Sequence, residues 1–111
     1  MFGPQVPEVS AADVHSAMLV LDVREDDEWA AGHAPEAVHL PMMQIPQRLA
    51  EVPTDVDIAV VCRVGSRSAQ VVAYLQANGV DRAWNLDGGM HAWQAAGRPM
   101  VSEDGHAPRV L

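Results

Sequence analysis

The hydrophobic positions of the chain fall into short apolar runs separated by segments of mixed polarity. The clearest run lies in residues 57–62, DIAVVC, which are continuously apolar after Asp57. A strand that alternates apolar and polar residues has one face in water, whereas a continuously apolar strand is covered on both faces. By the same criteria, strands are predicted at residues 18–23, 37–40, 57–62 and 81–86.

Helix signals occupy the segments between these runs. Ser10 precedes Asp13 by three residues, a spacing that predicts a capped helix over residues 10–17. Gly32, Gly79 and Gly97 stand where glycine commonly ends a helix. Further helices are predicted from residue 25 to Gly32 and over residues 42–51, 66–78 and 88–96. Alternating strands and helices with buried strands indicate an α/β fold, with a mostly parallel sheet and helices on both faces.

The length and tail of the chain suggest its domain organisation. The chain has 111 residues, of which 49% are hydrophobic, enough for one packed core. We predict a single domain over residues 1–98. Residues 99–111 have no periodicity and are expected to be loose. No signal-peptide pattern or long apolar run is seen, so a soluble, cytoplasmic protein with a reduced thiol is expected, not associated with a membrane.

Charge and residue usage exclude several functions. There are 15 acidic residues against 7 arginines and no lysine, a net charge of −8. This balance argues against general binding of nucleic acid or anionic membranes. The lack of lysine excludes a mechanism that uses a Schiff-base lysine. A small anionic substrate is still compatible with the net negative charge, because a local positive patch can oppose the charge of the whole protein. The single cysteine, Cys62, excludes an internal disulfide and a multi-cysteine zinc site. The five histidines lack close ligand spacing, so neither a metal nor a cofactor is expected.

The candidate chemistry lies in the segment CRVGSRS, residues 62–68. Cys62 leaves the end of a predicted buried strand and enters a turn that begins a helix, where free backbone N–H groups and the helix dipole favour an anion. Arg63 and Arg67 add positive charge, and Gly65 permits a positive φ. We therefore predict a pKa for Cys62 below the ~8.5 of a free thiol. A lone cysteine is more often a small buried hydrophobe, but this context favours a nucleophile.

Four blocks together resemble the rhodanese homology domain: LDVRE (residues 21–25), GHAPEAVHLP (32–41), CRVGSRS (62–68) and LDGGMHAW (86–93). They occur in the family's order, and the similarity covers about residues 8–98. The resemblance implies a single-domain sulfurtransferase with a five-stranded parallel sheet. It also implies that Cys62 takes a sulfane sulfur from an anionic donor such as thiosulfate, releases sulfite and forms a persulfide.

The resemblance assigns roles to the whole loop. The backbone N–H groups of Arg63, Val64, Gly65, Ser66, Arg67 and Ser68 would surround the persulfide, and the two arginines would attract the donor. With no second cysteine, the acceptor must be external: cyanide, a small thiol or a protein. A sulfur carrier with little turnover of its own is the alternative. Related phosphatases and arsenate reductases are less favoured, because they place five residues between cysteine and arginine, whereas four separate Cys62 from Arg67.

Other polar residues have more ordinary interpretations. Asp22 and Arg24 lie near the same edge of the predicted sheet and could assist anion binding, but pairing that fixes nearby loops is favoured. His33 is expected to make a structural hydrogen bond. The acidic turn over residues 25–28 is expected to be a solvated helix start. Gly88 and Gly89 are expected to permit tight packing beside the Cys62 loop.

Overall fold

A five-stranded parallel sheet forms the centre of the molecule in the computed structural model, which describes residues 4–111. The strands are β1 (Glu8–Val9), β2 (Leu19–Asp22), β3 (Val38–His39), β4 (Ile58–Val61) and β5 (Ala83–Leu86). Their order across the sheet is β1-β5-β4-β2-β3. Three α-helices accompany them: α1 (Asp26–Ala31), α2 (Ser66–Ala77) and α3 (Gly89–Ala95). This architecture confirms the predicted α/β class and the five-stranded parallel sheet.

The central strand β4 explains why its sequence is apolar throughout. All its residues are buried, and successive side chains point to opposite faces of the sheet. Ile58 and Val60 pack on one face with Val72 and Leu75 of α2. The other face has its own apolar cluster, which includes Ala59, Val61, Leu86, Met90 and Trp93. Helices therefore cover both faces, as the continuous apolar run predicts.

One strand was not predicted from the sequence, and two predicted helices differ from the structure. β1 is an edge strand of two residues, Glu8–Val9, too short to give a hydrophobic period, and it pairs parallel with β5. The helix predicted over residues 10–17 is only a 3-10 turn at Ala11–Asp13, and the Ser10 side chain caps nothing. The helix predicted over residues 42–51 is two 3-10 turns, Met42–Gln44 and Leu49–Glu51. Pro46 lies between them and has no N–H with which to continue a helix.

The C-terminal segment is held against the domain, which corrects the prediction of a loose tail. His33 and Val101 form an antiparallel bridge, each donating its N–H to the other's carbonyl at 2.9 Å. The Arg109 N–H donates to the carbonyl of Ala31 at 3.0 Å. A Cβ on Gly32 would lie 2.5 Å from the Arg109 carbonyl oxygen, so glycine permits this close approach. Backbone pairing, which has no sequence period, therefore orders residues 101–109.

Among residues 4–111, no helix is long and apolar enough to cross a membrane.

Candidate active site

Cys62 stands where β4 ends, and α2 begins four residues later at Ser66. The turn between them depends on Gly65, whose φ is +110°, a backbone conformation that residues with a Cβ rarely adopt. The main chain therefore curls around the cysteine side chain. The strand-to-helix placement predicted for Cys62 is therefore confirmed.

The Cys62 sulfur lies among hydrogen-bond donors, although the residue as a whole is fully buried. The Gly65 N–H lies 3.1 Å from Sγ, and the Ser68 hydroxyl lies 3.2 Å from it. Burial raises the pKa of the Cys62 thiol, but hydrogen bonds from the Ser68 hydroxyl and the N–H groups of Ser68, Gly65 and Val64 outweigh it. The resulting pKa is lower than that of an ordinary thiol, in the direction that the sequence predicts.

Asn85 of β5 is a member of this site that the sequence analysis missed. It is buried, and its Oδ1 lies 2.5 Å from the Ser68 hydroxyl oxygen. Its Nδ2 donates to the Gly65 carbonyl oxygen at 3.1 Å. The available signal was a single amide inside an otherwise apolar strand, because a buried amide must find hydrogen-bond partners.

The N-terminus of α3 holds the other side of the loop. The Met90 N–H donates to the Cys62 carbonyl at 2.8 Å, and the His91 N–H donates to the Arg63 carbonyl at 3.1 Å. The start of α3 and the loop approach so closely that a Cβ on Gly89 would lie 2.5 Å from the Cys62 carbonyl oxygen. Gly89 thus allows the tight packing predicted for it. The Cys62 and Arg63 carbonyls turn toward α3, while N–H groups of the loop face the sulfur.

Arg67 has a partner that the sequence analysis did not assign to it. Its Nη1 and Nη2 lie 2.8 and 2.9 Å from the two carboxylate oxygens of Glu28 in α1. The Glu28 side chain is only 15% exposed, so this member of the acidic turn is not the solvated residue that was expected. The hydrogen bond from Arg67 outweighs burial and lowers the pKa of Glu28 to about 2.

The Glu28–Arg67 pair is expected to add stability that depends on pH. Because the folded pKa of Glu28 lies below the usual 4.5, the contribution is complete above that value and is lost as pH falls toward 2. Arg67 is about one-third exposed, so solvent screening reduces the contribution to about 1–2 kcal/mol. Glu28→Gln is expected to lower the free energy of unfolding by this amount at pH 7. The difference from the unmodified protein should disappear toward pH 2 in urea titrations.

Glu51→Gln is the matched control, because Glu51 also accepts a two-pronged arginine contact, from Arg48, but on the open surface. Its substitution is expected to change little at any pH. Equal losses in the two variants would contradict the importance of the partly buried pair.

Arg63 lies at the exposed side of the loop, and its Nε donates to the backbone oxygen of Leu111 at 2.7 Å. Val64 and Ser66 are also exposed, whereas Ser68 is fully buried beside the sulfur. The predicted residues 62–68 therefore share one loop, but both arginines already contact other parts of the chain.

Asp22 and Arg24 fix loops, as the favoured interpretation holds. Both side chains are fully buried; Arg24 Nε and Nη2 lie 2.9 and 2.8 Å from the Asp22 carboxylate. Nη2 also donates to the carbonyl oxygen of Gly32 at 2.7 Å. The Arg24 guanidinium therefore joins the end of β2 to the end of α1.

His33 also has structural contacts. Its Nδ1 lies 2.8 Å from the carbonyl oxygen of Ala34, and its Nε2 lies 2.8 Å from a carboxylate oxygen of Glu103. Its ring stacks on Trp29 with a centroid distance of 3.5 Å. These contacts agree with the structural hydrogen bond expected of His33. In the part of the chain from residue 4 onward, no three histidine, cysteine or carboxylate side chains group as a metal site.

Comparison with known proteins agrees with this architecture. The family model described as "Rhodanese-like domain" matches residues 8–96. A sulfurtransferase from Allochromatium vinosum is 45% identical over 94 residues, covering 85% of this chain and 87% of the relative. The thiosulfate sulfurtransferase GlpE of Pseudomonas savastanoi is 32% identical over 89 residues, covering 80% of this chain and 84% of the relative. A crystal structure of a rhodanese-related protein from Thermoplasma volcanium superposes with a TM-score of 0.81 at 31% identity, covering 86% and 97% of the two chains.

The fold and the loop around Cys62 thus define an α/β protein of the rhodanese type. The chain belongs to the rhodanese-like domain family, as the sequence blocks indicated. The curated relatives described above are named sulfurtransferases, and this supports a transferase activity.

Proposed function

We propose that the protein transfers a sulfane sulfur from an anionic donor such as thiosulfate to an external thiophilic acceptor, through a persulfide on Cys62. The observation that supports this proposal most is the placement of Sγ among the Gly65 N–H, the Ser68 hydroxyl and further loop amides. Donors aimed at one sulfur favour its anionic form and would also stabilise an anionic sulfur attached to it.

The proposed reaction has two displacements. In the first, the Cys62 thiolate attacks the outer sulfur of thiosulfate, and the electron pair of the broken S–S bond leaves with sulfite. In the second, an acceptor such as cyanide or a thiolate attacks the outer sulfur of the persulfide and regenerates the Cys62 thiolate. No net oxidation is needed. The thiol must stay reduced between turnovers, which fits a reducing compartment such as the cytoplasm.

The loop amides are proposed to carry more of the binding than the two arginines. Arg67 is paired with the Glu28 carboxylate, and Arg63 donates a hydrogen bond to Leu111. An anionic sulfur donor would therefore meet guanidinium groups that already have partners. Backbone N–H groups at the start of α2 have fewer competing partners, because the first N–H groups of a helix lack acceptors within it. Charge-assisted hydrogen bonds of this kind are worth about 1.5–3 kcal/mol each.

A sulfur carrier that another protein loads is the second candidate. The engagement of both arginines favours it, because a carrier does not need to capture a free anion from solution. Phosphate chemistry has less support: four residues separate Cys62 from Arg67, and the Arg67 guanidinium is bound on two prongs by Glu28.

Intact-mass spectrometry after incubation with thiosulfate tests the proposal. We expect the reduced protein to gain the mass of one sulfur atom and to lose it again on addition of cyanide, with thiocyanate released. A mass gain only from a protein persulfide donor would favour the carrier. No gain from either donor, or hydrolysis of p-nitrophenyl phosphate instead, would contradict the proposed function.

A further inference from the structure

The Ser68 hydroxyl lies between two acceptors but carries one hydrogen. Its oxygen is 3.2 Å from Cys62 Sγ and 2.5 Å from Asn85 Oδ1. A serine hydroxyl donates a single hydrogen bond, so it cannot serve both acceptors at once. All three residues are buried, so the two acceptors compete for the hydroxyl hydrogen inside the protein.

The orientation of the Asn85 amide is set by a third group. Asn85 Nδ2 lies 3.1 Å from the carbonyl oxygen of Gly65, which can only accept. The amide nitrogen therefore faces Gly65, and the amide oxygen faces Ser68. The backbone N–H of Asn85 is also engaged, by the carbonyl of Pro7 at 2.8 Å. The acceptor that competes for the hydroxyl hydrogen is thus fixed on a strand of the sheet.

We propose that Asn85 is a positioning residue that holds the Ser68 hydroxyl hydrogen while Cys62 is a neutral thiol, and yields it to the sulfur when Cys62 becomes anionic. A neutral thiol is a weak acceptor, so the short contact with the Asn85 carbonyl keeps the hydrogen. A thiolate is a charged acceptor and forms the stronger bond. Ionisation of Cys62 then rotates one hydroxyl, while the proton from the thiol goes to solvent.

Asn85 on this account opposes ionisation, because the hydroxyl must give up its amide partner before it can stabilise the thiolate. The loop amides lower the pKa of Cys62, and Asn85 limits how far it falls. A very acidic thiol is a poor nucleophile, and the best attacking thiol has a pKa near the ambient pH. The catalytic role of this effect rests on the proposed function. The competition for the hydroxyl hydrogen does not depend on any sulfur donor.

The charged groups around Cys62 do not replace this control. Arg67 of α2 is paired with Glu28 of α1, and Arg63 lies on the exposed side of the loop. The Asp22–Arg24 pair closes the end of β2, the strand next to β4. On the α3 side, the loop meets the backbone N–H groups of Met90 and His91. The Asn85 side chain hydrogen-bonds to Ser68 and Gly65 and to none of these groups.

A double-mutant cycle on the pKa of Cys62 tests the inference. The chain has one cysteine, so the ultraviolet absorbance of the thiolate reports on Cys62 alone, with Cys62→Ser as the baseline. The pKa is measured with and without Asn85→Leu, in the Ser68 protein and in Ser68→Ala. The Gly65 contact is lost in both backgrounds, so the difference between the two shifts isolates the hydroxyl.

We expect Asn85→Leu to lower the pKa of Cys62 by about one unit more in the Ser68 background than in the Ser68→Ala background. Equal shifts would overturn the proposal, because Asn85 would then act only through the loop. Asn78→Leu, which changes an exposed asparagine at the end of α2, is the control and should leave the pKa unchanged.

A second measurement avoids substitution of Asn85. We expect the ¹³C resonance of its side-chain carbonyl to titrate with Cys62 in the unmodified protein, because the hydroxyl leaves that carbonyl on ionisation. In Ser68→Ala the resonance should not follow Cys62. A carbonyl signal that ignores the titration in the unmodified protein would overturn the proposal. Neither measurement uses thiosulfate, so failure of the mass-gain experiment and failure of this inference remain distinct results.

Discussion

Cys62→Ser is expected to abolish transfer of sulfur from thiosulfate to cyanide. A serine hydroxyl ionises far above neutral pH, and an oxygen at this position cannot form a persulfide. Because the proposed reaction passes entirely through that intermediate, the loss should be at least about 10³-fold in the rate constant. Release of thiocyanate, measured at several thiosulfate concentrations, gives the rate constant and the Michaelis constant separately.

Ser16→Ala is a suitable control for Cys62→Ser. Ser16 is exposed and precedes β2, so it lies toward the opposite end of the sheet from the Cys62 loop. This variant should transfer sulfur as the unmodified protein does. If Cys62→Ser retained more than a few per cent of the activity while folded, the double displacement through Cys62 would be wrong.

Gly89→Ala is expected to cause the largest loss of stability of any single methyl addition in the loop region. The new Cβ would lie 2.5 Å from the Cys62 carbonyl oxygen and 2.6 Å from the Arg63 carbonyl carbon and oxygen. These are backbone atoms, held by N–H groups of α3, and cannot rotate away as a side chain would. The positive φ of +60° adds conformational strain. Together we expect a loss of about 3 kcal/mol or more in the free energy of unfolding.

Gly97→Ala separates the two causes. Gly97 also has a positive φ, +71°, but no atom lies within 4 Å of an added Cβ. It should therefore lose only about 1 kcal/mol, the cost of the backbone conformation alone. Urea unfolding of both variants gives the comparison. Similar losses of unfolding free energy at the two positions would show that the close approach of α3 to the loop does not affect stability.

The contrast between Gly89 and Glu28 shows what kind of information the sequence carried. Gly89 follows Gly88 at a strand-to-helix junction, and its role in close packing was predicted from that position. Glu28 stands in an acidic turn that is typical of any helix start, and its pairing with Arg67 joins residues 39 positions apart. A contact over that distance in sequence leaves no local signal.

Asn85 and the C-terminal segment illustrate the same limit in two ways. Asn85 is one polar residue in a strand, and only the parallel pairing of β4 with β5 brings that strand beside the Cys62 strand. Residues 101–109 are ordered by backbone hydrogen bonds to α1 and to the residues at its end. Such bonds do not depend on which side chains the segment carries. For that reason the segment has the composition of a loose tail but the contacts of an ordered one.

The amino-acid order alone determined the strand-and-helix alternation, the covering of both sheet faces and the turn that presents Cys62, because each of these depends on neighbouring residues and on local backbone preference. The hydrogen-bond partners of Arg67, Ser68 and Arg63 were decided only by the tertiary structure. Those contacts join α1, β5 and the C-terminus to one loop, and their geometry depends on the packing of all the elements together.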